Sequence, residues 1–226
     1  WRILIAKIEK ISFLRAFKAV MTGVSVSIFT PNRTGDYLGR VFILEKGNHV
    51  EGILITLIGS FAQIVVTISA GLLCFLTFLD QYLRLSYQVQ DYLLISMIFL
   101  VPCLIFIIML LYFKIAILSD FISRYLPHKW DRFKEYSRIF GRYSSKELLG
   151  VLLLSLLRYV IFSTQFYLLL RIFGATLPLS QGMILIPVIY LAMTMVPSIA
   201  LIDLGIRGSV SIFVVGLYFK KYGFNP

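Results

Sequence analysis

Residues 52–79 read GILITLIGSFAQIVVTISAGLLCFLTFL. The run carries no charge, and Ser60 and Gln63 are among its polar points. A helix needs about 20 apolar residues to cross a bilayer, so this run predicts a membrane span. Two more runs have the same character. Residues 92–113, YLLISMIFLVPCLIFIIMLLYF, predict a second span with Pro102 inside it. Residues 148–170 predict a third, interrupted by Arg158 and containing Gln165. The whole chain agrees with these runs: 59% of its 226 residues are hydrophobic and only 15% are charged. Soluble domains carry about 25% charged residues. The fold class that follows is all-α, a polytopic transmembrane helix bundle, with residues 1–226 as one transmembrane domain.

The net charge of +11 comes from 22 Lys and Arg against 11 Asp and Glu. In a soluble protein that balance would suggest nucleic acid. Here basic residues flank apolar runs, where they face anionic lipid, and no nucleic-acid partner is expected. Residues 114–146 hold eight of the cations: Lys114, Arg124, Lys129, Arg132, Lys134, Arg138, Arg142 and Lys146. Residues 80–91 hold only Arg84, beside Asp80 and Asp91. The positive-inside rule therefore places 114–146 in the cytoplasm and 80–91 outside. Within the basic loop, FISRYLPHKWDRFKEYSRIFGRY interleaves aromatic and cationic residues at roughly helical spacing. Two short amphipathic helices on the cytoplasmic leaflet are expected there, separated near Pro127. The two cysteines, Cys74 and Cys103, lie in apolar runs, and His49 and His128 are isolated. Neither a disulfide, a metal site nor a cofactor is expected. The chain starts at Trp1 and not at Met, so a longer parent is expected, and no cleavable signal pattern is read at its start.

Shorter segments fit less easily. Residues 1–18, WRILIAKIEKISFLRAFK, read as a membrane-surface helix or the tail of an earlier span. Residues 19–32 are uncharged but too short to cross, as are 208–219. Residues 172–202 carry Pro178, Pro187 and Pro197. Two polar motifs sit among these segments: TPNRTGDYLGR at 30–40 and PSIALIDLGIR at 197–207. In the first, Pro31 is followed by Asp36 and Arg40; in the second, Pro197 is followed by Asp203 and Arg207. Both pairs are Asp to Arg at i, i+4, and each encloses a glycine, Gly39 or Gly205. Three predicted spans separate the copies, an odd number, so the copies have opposite orientation. That is the arithmetic of an inverted-topology repeat. The expectation is two re-entrant helical hairpins, one from each side, with tips near Pro31 and Pro197.

A charge at mid-membrane costs roughly 2.5–3.5 kcal/mol on insertion scales, so such residues commonly serve a cavity or pathway. Against that, an Asp–Arg pair at this spacing is common on exposed helices and adds only about 0.2–0.5 kcal/mol. Thr34 or Gly35 is expected to cap the helix that Asp36 opens, which sets the carboxylate at the positive helix end. Asp36 can then hold Arg40 in one rotamer. Arg33 has no evident local partner, and an arginine beside a helix N-terminus suits phosphate through its planar fork. Arg158, Gln165 and Gln63 are further polar residues that a cavity would use; Arg158 equally fits a side chain snorkelling to the interface.

At these residues the sequence resembles a known family. Pro31-Asn32-Arg33-Thr34-Gly35-Asp36 with Arg40 is similar to the first signature of the lysylphosphatidylglycerol synthase transmembrane region, also called flippase-like. Its second signature, rich in Pro and Gly and ending Gly-x-Arg, corresponds to Pro197 through Gly205-Ile206-Arg207. The resemblance covers nearly the whole chain. It departs where the family often has a glycine-rich run before the second Arg and an acid after it. Here the run is PSIALIDLG, the acid is Asp203, and Gly208 follows Arg207. These 226 residues hold no soluble aminoacyl-transferase domain, so the resemblance implies the flippase-like part alone.

The leading expectation is a lipid translocase of the cell membrane. A phospholipid or lipid-linked glycan head group would enter a polar cavity between the hairpins. Arg33, Arg40 and Arg207 would hold its phosphate, and Asp36 and Asp203 would position those arginines. No Walker-type signature is present, so uphill transport would need an ion gradient or a partner. A second reading is a non-transporting scaffold that docks an envelope-lipid or polysaccharide enzyme on the 114–146 loop. A membrane-embedded transferase ranks below both. Asp36 and Asp203 are its only strong bases, and no nucleotide or metal motif accompanies them.

Overall fold

The computed structural model describes residues 1–30, 34–45, 49–82, 87–115, 138–196 and 200–222, with side chains except at 87–90, 138–139 and 200–204. All regular structure among them is helical. The order is α1 (Arg2–Ile5), α2 (Phe13–Ser27), α3 (Gly35–Val41), α4 (His49–Tyr82), α5 (Tyr87–Phe113), a 3-10 turn (Arg138–Arg142), α6 (Ser145–Ile172), α7 (Leu179–Met195) and α8 (Ala200–Tyr222). The three long apolar runs became α4, α5 and α6, each long and apolar enough to cross a membrane. At 1.5 Å per residue their 34, 27 and 28 residues reach about 51, 40 and 42 Å, against a hydrocarbon core of about 30 Å. By the same rule the 15 residues of α2 and 17 of α7 reach only about 22 and 25 Å.

Two of the sequence expectations change here. Residues 1–18 are not one surface helix. α1 stops at Ile5, and α2 opens at Phe13, where the Ser12 hydroxyl caps by accepting from the Arg15 N–H at 3.3 Å. Leu4 and Ile5 are fully buried in protein instead of facing lipid. Residues 208–219 are likewise not an isolated segment. They continue α8, which begins before Asp203. Nothing in Asp-Leu-Gly-Ile-Arg is a strong enough breaker to end a helix. The expected amphipathic helices of 114–146 fall largely on 116–137, outside the described residues.

The chain forms two compact units. The first comprises Trp1–Gln63, Met109–Ser155 and Ser198–Leu201; the second comprises Ile64–Ile108, Leu156–Pro197 and Ile202–Pro226. In the first unit the start of the chain is tied to the helices around it. The Trp1 indole N–H donates to the Thr56 hydroxyl at 3.0 Å, and the Tyr143 hydroxyl donates to the Leu4 carbonyl at 2.8 Å. Burial pushes the Tyr143 phenol well above its ordinary range, so it stays a donor. Lys7 pairs with Glu147 at 2.7 Å. Glu147 also closes a capping box with Ser144: the Ser144 N–H donates to Glu147 Oε2 at 2.9 Å, and the Glu147 N–H donates to Ser144 Oγ at 3.3 Å. That box starts α6.

The second unit has its core around Phe78, Tyr82, Leu185, Ile189, Val215 and Tyr218. Helices α4 and α7 meet closely within it. A Cβ on Gly71 would lie 2.5 Å from Leu191 Cβ and 3.0 Å from the Pro187 carbonyl oxygen, so only glycine admits this approach. Pro187 sits inside α7 and cannot donate to the Met183 carbonyl four residues earlier. The Cys74 thiol of α4 donates to that carbonyl instead, at 3.5 Å. A neighbouring helix thereby satisfies the group that proline frees, as a membrane interior requires. Between α6 and α7 the chain reverses at Gly174, whose φ of 89° needs glycine.

Candidate functional site

Helices α2 and α3 form an antiparallel pair through small residues. Ala16, Ala19, Gly23 and Ser27 make the buried face of α2. Its other face exposes Phe13, Leu14, Phe17, Met21 and Val24. Large apolar residues outside and small ones inside are the pattern of a helix solvated by lipid. On α3 the matching residues are Gly35 and Gly39, both buried. A Cβ on Gly39 would lie 2.7 Å from the Gly23 Cα, and one on Gly35 would lie 2.7 Å from the Val26 carbonyl oxygen. The two backbones touch, and no residue larger than glycine fits unless one of them shifts.

The charged pair lies across this contact. Arg40 Nε donates to Asp36 Oδ1 at 2.9 Å, and Nη2 donates to Oδ2 at 2.5 Å. The arginine side chain is 14% exposed and the aspartate 23%. A Cβ on Gly23 would sit 2.6 Å from Asp36 Oδ1 and 2.8 Å from Arg40 Cγ, so Gly23 makes the space that the pair fills. Guanidinium has five N–H groups in a fixed fork. Two of those of Arg40 are spent on Asp36. The cap differs from expectation. Thr34 stands at the N-cap position, but its side chain does not cap the helix. The Thr30 hydroxyl does the work, accepting from the Gly35 N–H at 2.7 Å. Thr34 has αR backbone (φ −61°), whereas a capping side chain reaches forward from extended backbone.

A second cluster, which the sequence reading missed, fixes the base of the pair. Arg15 Nη2 donates to the Ile43 carbonyl at 2.8 Å and lies 2.9 Å from Glu45 Oε1. Arg15 Nη1 lies 3.4 Å from Glu9 Oε1. Glu9 is 9% exposed, and its Oε2 accepts from the Glu45 N–H at 3.1 Å. These residues are 6 to 36 positions apart, beyond any helical period. One signal was available: Glu9 is the only acid in residues 1–18.

Of the predicted site residues, the structure brings together Asp36 and Arg40. Arg33, Pro31 and Pro197 lie outside the described residues, as does the side chain of Asp203. Arg207 is exposed on α8 and belongs to the second unit, and Ser211 Oγ donates to its carbonyl at 2.6 Å. Arg158 is exposed on α6 with its guanidinium 5.3 Å from the centre of the Phe162 ring. Gln165 is exposed on the same helix, and Gln63 is half-buried on α4.

Three helices long and apolar enough to cross a membrane define a polytopic α-helical integral membrane protein. The sequence matches the lysylphosphatidylglycerol synthase TM region family over residues 1–220, and the chain belongs to that family. Comparison with curated proteins gives no match, and comparison with solved structures gives none.

Proposed function

We propose that the chain binds a phosphate-bearing lipid or lipid-linked head group at the α2–α3 pair and moves it between leaflets. The observation that carries this reading is the Asp36–Arg40 fork, largely buried in a helix pair whose outer surface is mostly apolar. A charged pair has little reason to be there unless a polar ligand uses it. Asp36 holds the guanidinium and balances its charge, and the free edge of Arg40 takes the phosphate in a bidentate contact. On this reading Arg33, Asp203 and Arg207 are additional head-group contacts, and the second motif is the inverted counterpart of the first, each at a re-entrant hairpin. The protein resides in the cell membrane with 114–146 on the cytoplasmic side.

The test is reconstitution into vesicles carrying a fluorescent anionic phospholipid, with movement between leaflets followed by chemical quenching. Wild type is expected to accelerate exchange. Arg40→Gln should slow it about ten-fold or more, since a charge-assisted hydrogen bond contributes about 1.5–3 kcal/mol. Exchange by folded wild type equal to that of protein-free vesicles, with an ion gradient applied, would exclude translocation. The scaffold reading would then gain if deleting the basic loop, but not Arg40→Gln, abolished function and binding of an envelope-biosynthesis enzyme.

A further inference from the structure

The first unit holds a cavity of about 450 Å³ beside α1. Among the described residues it is lined by Arg2, Ile3, Ala6, Lys10 and Ile11. Arg2, Ile3, Ala6 and Lys10 are exposed, Ile3 to 58%, and Ile11 is buried beneath them. Two cations thus meet three apolar side chains, with no carboxylate among the five. Neighbouring cations are neutralised within the protein. Lys7 pairs with Glu147 at 2.7 Å, and Arg15 with Glu9 and Glu45 at 3.4 and 2.9 Å. Among the described residues no acid pairs with Arg2 or Lys10.

The residues that hold α1 in place set the level of the cavity. The Trp1 indole bonds Thr56 near the start of α4, and Lys7 pairs with Glu147 in the first turn of α6. Both helices are longer than the hydrocarbon core is thick, so their starts reach the head groups. A soluble anion would use the two cations and leave Ile3, Ala6 and Ile11 idle. The chain's own 114–146 segment matches poorly, because its eight cations outnumber its acids, Asp120, Asp131 and Glu135. A lipid with net negative charge matches both halves of the lining. We infer that the cavity holds one anionic phospholipid, its phosphate between Arg2 and Lys10 and its upper acyl chain against Ile3, Ala6 and Ile11. Arginine donates to phosphate through two N–H groups at once, and lysine adds a point charge. The site is separate from the Asp36–Arg40 pair and stands whether or not that pair moves a head group.

Photo-crosslinking of the purified full chain in lipid nanodiscs tests this. Two probes, a phosphatidylglycerol and a phosphatidylcholine, carry the same diazirine high on one acyl chain. They share the phosphodiester and differ in net charge. Peptide mapping should find the phosphatidylglycerol probe on residues 1–11 about ten-fold more often than the phosphatidylcholine probe, the size of effect that two basic residues have on an anionic lipid. Arg2→Gln with Lys10→Gln should bring the two probes level. Ala6→Phe keeps both cations and fills the cavity, and it should remove the preference equally. Excess glycerol phosphate, which has the anion but no acyl chain, should leave the labelling unchanged. Equal labelling by the two probes in wild type overturns the inference, and this comparison needs no variant to fold. A preference that survives the double variant also overturns it. So does one that survives Ala6→Phe, which would make it a property of surface charge alone, and so does displacement by glycerol phosphate, which would make the site one for free phosphate.

Discussion

Gly39 and Gly205 are each enclosed by an Asp–Arg pair, Gly39 three residues after Asp36 and Gly205 two after Asp203. Their surroundings differ completely. Gly39 is pressed against the Gly23 backbone, whereas a Cβ on Gly205 would meet nothing within 4 Å among the described residues. Gly39→Ala should therefore destabilise by roughly 1–3 kcal/mol, the range for overpacking. Gly205→Ala should be neutral or gain up to about 1 kcal/mol of helix propensity. Thermal melting of the two variants in detergent checks this; equal Tm values would contradict the close α2–α3 contact. The sequence made the Asp36–Arg40 pair legible because both partners lie within one helical turn. It did not reveal that Gly23, sixteen positions upstream of Gly39, makes room for the pair. Nor did it reveal Glu9, Arg15 and Glu45, because contacts across 6 to 36 residues leave no period to read.

The long helices α4, α5 and α6 were readable with boundaries within a few residues, because an apolar run longer than about 20 residues with at most one charge has one solution in a bilayer. The short ones were harder. α2 looked too short to cross, and it is; what fixed its start was a single hydroxyl, Ser12, inside a stretch that reads as continuous helix. Prolines are less simple markers: Pro178 stands at the N-cap of α7, yet the helix continues through Pro187. The chain tolerates it because Cys74 of α4 takes the freed Met183 carbonyl and Gly71 lets the helices approach. Gly71→Val should therefore separate α4 from α7 and lower stability by about 1–3 kcal/mol or more, since Leu191 and the Pro187 carbonyl are in the way. Cys74→Ala should cost less, about 0.5–1.5 kcal/mol, for one lost hydrogen bond. Denaturant titration in mixed micelles gives both values. A cost for Cys74→Ala as large as that for Gly71→Val would mean that the thiol, not the backbone approach, holds the helices together.

At the scale of the whole molecule, the inverted-repeat reading depends on crossing parity. α4, α5 and α6 lie between residue 40 and residue 203, and each is long and apolar enough to cross. Three crossings put the two motifs in opposite orientation; two would make them parallel and remove the basis for a two-sided pathway. The positive-inside rule predicts the direction from the charge bias, eight cations in 114–146 against one in 80–91. Single cysteines on a background lacking Cys74 and Cys103 decide the matter. With Gly47→Cys and Ser119→Cys, a membrane-impermeant maleimide should react only after the cytoplasmic face is opened. With Ser86→Cys and Thr176→Cys, intact cells should be labelled. Each successive pair reports one crossing: 47 against 86 for α4, 86 against 119 for α5, and 119 against 176 for α6. Two neighbouring positions labelled from the same side would show that the intervening helix does not cross. Parity would then be even, and the Asp203–Arg207 motif would lose its standing as the inverted counterpart of Asp36–Arg40. The Asp36–Arg40 fork would be untouched by that result, because both of its residues lie on α3 and pack against α2.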